Sequence, residues 1–160
     1  MSYLNFFHCK YLGGIHLNNI LGNPRIKLVY VIDADEARWK IVSTSLPLED
    51  VTFYKPEDAN KVFMDKNVDG VIIATPTFTH TELIKDALKA GKAVFSEKPI
   101  AENVEDTIEC YNVADAMERP LLCAFNRRFD PTFKNIFGRV REGKIYQLIT
   151  RLIFIWCVMV

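Results

Sequence analysis

Asp33 and Lys98 are the positions whose type and spacing best fit chemistry, because each stands just past an apolar, strand-like run. Asp33 follows IKLVYVI and lies twenty residues after Gly13. At that interval an acid in a dinucleotide fold accepts hydrogen bonds from the adenine ribose. A carboxylate there repels a 2′-phosphate, which favours NAD over NADP. The plainer alternative is that Asp33 merely begins a turn. Lys98 follows AVFS and sits between Glu97 and Pro99. Proline fixes the local turn and removes a donor, and Pro99 is a candidate cis residue. A lysine held there can donate a hydrogen bond to a substrate hydroxyl and favour alkoxide character as hydride leaves. The alternative is a solvated lysine paired with Glu97. His80 falls in the first turn after Thr75-Pro76, where it either packs against a cofactor or caps a helix. Asn126-Arg127-Arg128 follows LLCAF. One of these side chains can face a site while another pairs with Asp130, and position alone does not choose.

These residues need a scaffold that gathers strand ends. Residues 68–99, VDGVIIATPTFTHTELIKDALKAGKAVFSEKP, contain a complete strand, helix and strand. Val71, Ile72, Ile73 and Ala74 make an unbroken apolar run, as in a parallel strand covered on both faces. Thr79 stands three residues before Glu82, a capping-box spacing. Leu83, Ile84, Ala87 and Leu88 form a helical stripe, and Gly91 occupies the stop position where positive φ is easiest. Elsewhere the chain predicts a strand over 26–32, then a helix over about 36–43 capped by Asp35. A short strand near 51–54 precedes a helix from Pro56 to about residue 66. Asn103 caps a further helix on which Val104, Ile108, Tyr111 and Ala114 share a face. Pro120 stops that helix before a strand over 121–125, and a helix over about 131–142 and a final strand-like run follow. Strands alternating with helices imply an α/β fold, a doubly wound, Rossmann-like parallel sheet with right-handed crossovers. Its ligand crevice lies beyond the carboxyl ends of the strands.

At 160 residues, with 49% hydrophobic and 25% charged content, the chain can bury one good core. Twenty basic and twenty acidic residues balance to a formal charge of zero. With no Lys/Arg block, neither nucleic acid nor a membrane surface is an expected partner. Cys9, Cys110, Cys123 and Cys157 show no CxxC pairing, which points to free thiols, a reducing compartment and a cytoplasmic location. No metal-ligand spacing stands out. The amino end lacks the pattern of a secretory signal. After Arg151 the run LIFIWCVMV is less than half the ~20 apolar residues needed to span a bilayer. It reads as a sheet strand or as a non-native tail.

Several of these segments occur together, in order, in one known family. Val31-Ile32-Asp33, Ala74-Thr75-Pro76 with His80, ALKAGKAVFSEKP and Asn126-Arg127-Arg128-Phe129-Asp130 resemble the nucleotide-binding half of the glucose-fructose oxidoreductase, inositol dehydrogenase and MocA family. The likeness runs from about Gly13 to Arg151 and is nearest to the inositol 2-dehydrogenase type. It implies a dinucleotide-binding domain over 1–125 with an atypical first strand, and over 126–160 the beginning of an incomplete α+β substrate domain. It also implies that Lys98 is the active-site lysine and that Asp33 binds the adenosine ribose. Ala74, Thr75, Pro76, His80 and Glu97 would wall the cofactor, while Asn126 and Arg127 would face nicotinamide and substrate. The implied reaction is NAD-dependent oxidation of a secondary alcohol on a cyclitol or sugar, with a homo-oligomer as a possible assembly.

The chain departs from the family pattern twice. If Gly13 is the third glycine of the GxGxxG loop, the first two positions are His8 and Lys10. Side chains then stand where the pyrophosphate should approach the backbone. The family also places an Asp and a His on a helix of the second domain, and this chain ends at Val160 before that helix. The expectation is therefore a nucleotide-binding fragment whose turnover is impaired by at least the roughly 10²–10⁴ that general-base catalysis contributes. Polyol or sugar would bind only if a second domain completes the site. The competing expectation is a non-enzymatic Rossmann-like interaction protein that pairs with a full-length relative. A flavodoxin or receiver domain fits less well, since the first strand tip carries no acidic cluster.

Overall fold

Short strands hydrogen-bond side by side in one parallel sheet, and the loops that carry the candidate site residues leave from its carboxyl edge. The structure, a computed structural model, describes residues 2–7 and 11–142. Its strands are β1 (Ser2–Phe7), β2 (Ile26–Ile32), β3 (Thr52–Tyr54), β4 (Gly70–Ile73), β5 (Ala93–Ser96) and β6 (Leu121–Cys123). They lie in the order β3-β2-β1-β4-β5-β6, every neighbouring pair parallel. This is the doubly wound order, and it reverses direction between β1 and β4, the switch point where such sheets open a crevice.

Helices α1 (Tyr11–Leu21), α2 (Glu36–Ser45), α3 (Ala59–Phe63), α4 (His80–Lys89) and α5 (Val104–Ala116) connect the strands. Alternate strand residues feed two cores. Val71 and Ile73 pack with Val62, Ile84, Leu88, Cys110 and Ala114 of α3, α4 and α5. Ile72 and Ala74 point the other way, to Leu17 and Ile20 of α1. Such burial contributes about 1.5–3 kcal/mol per large apolar side chain. Local signals end the elements as physics dictates. Asp35 accepts from the Ala37 amide at 3.0 Å, and Asn103 accepts from the Asp106 amide at 2.7 Å, each capping its helix. Gly91 stops α4 at φ 79°, where Lys92 N–H donates to Ala87 and Gly91 N–H to Leu88, the two bonds of a Schellman motif.

Four expectations change. The segment after Pro56 is a 3₁₀ turn, Pro56–Asp58, followed by the short α3. Thr79 does not cap α4 with its side chain. Its hydroxyl instead donates within the preceding loop, 2.6 Å from Thr75 Oγ1 and 2.8 Å from the Pro76 carbonyl, while Glu82 pairs with Lys85. On α5 only Ala114 of the expected face is buried, beside Cys110; Val104 and Ile108 are 68% and 54% exposed. The start of the chain, a weak strand by pattern, forms β1 and lies between β2 and β4. Its position among apolar neighbours outweighs its mixed composition.

The chain divides into two units, Met1–Cys123 and Ala124–Val160. The described part of the second is a 3₁₀ turn, Asn126–Phe129, and helix α6 (Pro131–Arg141). The apolar run after Arg151, the expected final strand, and His8, Cys9, Lys10 and Cys157 lie outside the described residues. Among the described residues no helix is long and apolar enough to cross a membrane, and Cys110 and Cys123 are free thiols.

Candidate functional site

The ends of the strands fall on one row. Tyr54 pairs with Ile32, Ile32 with Phe7, Phe7 with Ile73, Ile73 with Ser96 and Ser96 with Cys123. The next residue along β2 is therefore Asp33, along β4 Ala74 and along β5 Glu97. Backbone pairing continues one step past the strands, from Asp33 N–H to the Tyr54 carbonyl (3.1 Å) and from Glu97 N–H to the Ile73 carbonyl (2.8 Å). Asp33 and Glu97 thus share one rim, three strand spacings or roughly 14 Å apart.

Asp33 is buried. Its Oδ1 accepts from the Asp35 amide at 2.9 Å, and its carbonyl accepts from Trp39 Nε1 at 3.1 Å. The residue opens a turn, and the turn holds a carboxylate at the tip of β2. Gly13 lies buried in the first turn of α1, the helix that follows β1.

The loop after β4 carries Ala74, which is buried, Thr75, half-buried, and Pro76, exposed. His80, expected to wall the crevice directly, is 1% exposed. Its Nδ1 lies 2.7 Å from the Pro99 carbonyl and its Nε2 2.9 Å from the Thr75 carbonyl. The ring therefore bridges the β4 and β5 loops and shapes the rim through their backbones.

Past β5, the Lys98–Pro99 peptide is cis, as expected of a constrained turn. Lys98 is exposed. The Glu97 carboxylate does not form the ion pair with its neighbour's amine that the plainer alternative held. Oε1 accepts from His16 Nε2 at 2.8 Å and Oε2 accepts from the Lys98 backbone amide at 3.2 Å. His16 also meets Phe95 edge-on, with ring centroids 5.5 Å apart. Sequence reasoning missed this pair, because 81 residues separate its members and no local pattern marks them.

Lys92 was missed too. Buried at the start of β5, its Nζ donates to the Asp65 carbonyl (2.6 Å) and the Val68 carbonyl (2.9 Å). Burial pulls its pKa below the ordinary lysine value, opposed by Asp65 and Asp69. The lysine following a helix-stop glycine was the only hint.

In the second unit Asn126 and Arg127 lie exposed on the 3₁₀ turn. Arg127, rather than Arg128, takes the expected surface pairing, with Nη1 3.4 Å from Asp130 Oδ2, and its guanidinium lies over the Phe133 ring. Asp130 caps α6, accepting from the Thr132 and Phe133 amides, and these bonds hold its carboxyl below the usual range. Among the described residues no group of three or more His, Cys, Asp or Glu could hold a metal ion.

Comparison with known proteins agrees with this geometry. Residues 9–125 match the GFO_IDH_MocA family, described as an oxidoreductase family with an NAD-binding Rossmann fold. The inositol 2-dehydrogenase of Rhizobium meliloti (strain 1021) is 36% identical over 134 residues, which is 84% of this chain and 39% of the relative. The scyllo-inositol 2-dehydrogenase (NAD(+)) of Bacillus subtilis (strain 168) is 34% identical over 137 residues, 84% of this chain and 38% of the relative. Among solved structures, scyllo-inositol dehydrogenase from Lactobacillus casei with bound NAD(H) and scyllo-inositol superposes with a TM-score of 0.78 at 28% identity, covering 91% of this chain and 42% of that one. The chain spans about two fifths of the length of these relatives. By the family match, the chain belongs to the Gfo/Idh/MocA oxidoreductases and carries their NAD-binding Rossmann fold.

Proposed function

We propose that this chain is the dinucleotide-binding part of an NAD-dependent dehydrogenase that oxidises a secondary alcohol of a cyclitol or sugar. The observation that carries the reading is the shared rim, with an acid at the tip of β2 and a lysine beyond β5 on either side of the switch point. The residues present fit the adenosine and pyrophosphate parts of a dinucleotide. Asp33 offers a carboxylate to an adenosine ribose, and its charge disfavours a 2′-phosphate, so NAD is preferred over NADP. Gly13 presents no side chain in the first turn of α1, where helix amide groups favour pyrophosphate. Ala74, Thr75 and Pro76 line the rim between the two halves, with His80 setting the loop backbones and Glu97 held between His16 and the Lys98 amide.

When bound, nicotinamide dinucleotide supplies a hydride acceptor. Lys98 acts on the substrate side, its ammonium donating to the carbinol oxygen and stabilising the alkoxide charge that develops as the hydroxyl proton passes to water. The names of the relatives support an inositol as substrate.

The test supplies the purified protein with NAD+ and myo-inositol, scyllo-inositol or glucose and follows NADH formation by absorbance. Turnover with an inositol supports the reading. NADH binding with no turnover on any of the three leaves the dinucleotide half and removes the reaction from this chain.

A second reading is a non-enzymatic module that pairs with a full-length relative. It is favoured by the exposed apolar residues Val104 and Ile108 on α5 and Leu122 on the edge strand β6. Light scattering separates the two, since a monomer at all concentrations removes this alternative.

A further inference from the structure

We propose that His16 and Glu97 are positioning residues that set the direction in which Lys98 leaves the rim. The inference rests on the reading above, in which Lys98 acts on the substrate alcohol.

An exposed lysine aims its ammonium only as well as its Cα is held, and the chain is tied down at the Lys98 N–H and again at the carbonyl of the next residue, Pro99. On one side, the Lys98 N–H donates to Glu97 Oε2 at 3.2 Å. The other oxygen of that carboxylate is held at 2.8 Å by Nε2 of His16, on the second turn of α1. The His16 and Glu97 side chains are only 19% and 13% exposed, so water competes weakly for the pair. On the other side, the Pro99 carbonyl faces Nδ1 of His80 at 2.7 Å, on α4. The Lys98 turn is thereby suspended between α1 and α4, two helices that pack on opposite faces of the sheet. With both oxygens committed inside the protein, Glu97 serves the site through Lys98 rather than as a ligand contact. The helix that holds it is also the one that starts at the switch point, so the pyrophosphate end of the crevice and the lysine end are mechanically joined.

The experiment uses His16→Ala, His16→Gln and Glu97→Ala in the full chain. It measures amide hydrogen exchange at Lys98 by NMR, NADH affinity by calorimetry and, where turnover is found, kcat and KM. The proposal expects Lys98 amide exchange to rise roughly tenfold in His16→Ala and Glu97→Ala, the factor carried by one charge-assisted hydrogen bond. Amides of the sheet core should stay unchanged. His16→Gln, whose side-chain amide still donates to the carboxylate, should restore much of the protection. NADH affinity should stay within about twofold and any loss should fall on kcat rather than KM for NAD. Unchanged Lys98 exchange in both alanine variants overturns the proposal. So does a loss of NADH affinity with Lys98 exchange unmoved, which makes the pair a ligand contact. A folded wild type that binds no NADH refutes the dehydrogenase reading, and the exchange data still decide whether the pair holds Lys98.

Discussion

Asp33 and Glu97 stand one residue beyond strand positions that belong to a single row of the sheet, Ile32 and Ser96, linked through Phe7 and Ile73. A ligand that runs from Asp33 to the Lys98 turn beyond Glu97 must be elongated and must cross the point where strand order reverses. This geometry suits a dinucleotide lying across the rim with its two halves on opposite sides of the switch point. On the proposed reading Lys98, one residue further along, serves the nicotinamide half, which Asp33 does not touch.

In the proposed function, cofactor choice is assigned to the charge at the tip of β2. Asp33→Ser removes the repulsion of a 2′-phosphate while retaining a small polar side chain. Parallel titrations with NADH and NADPH should show the affinity ratio shift toward NADPH by roughly tenfold. An unchanged ratio removes Asp33 from cofactor selection.

Gly91 ends α4 with φ at 79°, and a Cβ built there meets nothing nearer than Arg119 Nε at 3.9 Å. The cost of a side chain is therefore conformational rather than steric. Gly91→Ala should lower stability by about 1–2 kcal/mol in urea unfolding, and Gly91→Asn by less, because asparagine tolerates left-handed backbone better.

Lys92 bonds the Asp65 and Val68 carbonyls from a buried position, closing the turn that leads into β4. Lys92→Met keeps most of the volume and loses both donors. The expected cost is about 3 kcal/mol, or roughly 10 °C in thermal melting. An equally stable variant means that the freed carbonyls find other donors.

Burial pushes the Cys110 thiol up to about 11 from 9.0. At about pH 8 the folded protein should leave Cys110 unmodified by a thiol reagent and expose it only in denaturant, as read by mass spectrometry. The stability contribution has a definite sign. It is fully present below pH 9.0, and it is lost as pH rises toward about 11, because the unfolded chain ionises this thiol first. In Cys110→Ala this component of alkaline destabilisation should disappear.

Where local chemistry decides structure, the sequence was readable. Strand β2 spans the residues its apolar run marks, Asp35 and Asn103 cap the helices they precede, and Gly91 stops α4. The failures share a cause. Val104 and Ile108 of α5 look like core residues by spacing, but the residues that bury are the small Ala114 from the same stripe and Cys110 beside it. Thr79 had two sets of donors and acceptors within reach, and the loop to Thr75 and Pro76 won over the helix end. Strand β1 is specified by its neighbours more than by its own residues. In the site, Asp33 and Lys98 could be found because each follows a strand-like run. The His16–Glu97 and His80–Pro99 contacts could not, since they exist only after the sheet brings separate segments together.

The central claim is that the carboxyl rim of this sheet binds a nicotinamide dinucleotide, and calorimetric titration with NADH tests it most directly. The account predicts saturable one-to-one binding with a Kd below about 1 mM, weakened at least tenfold in Asp33→Ala. A folded wild-type protein that gives no binding signal at millimolar NADH contradicts it.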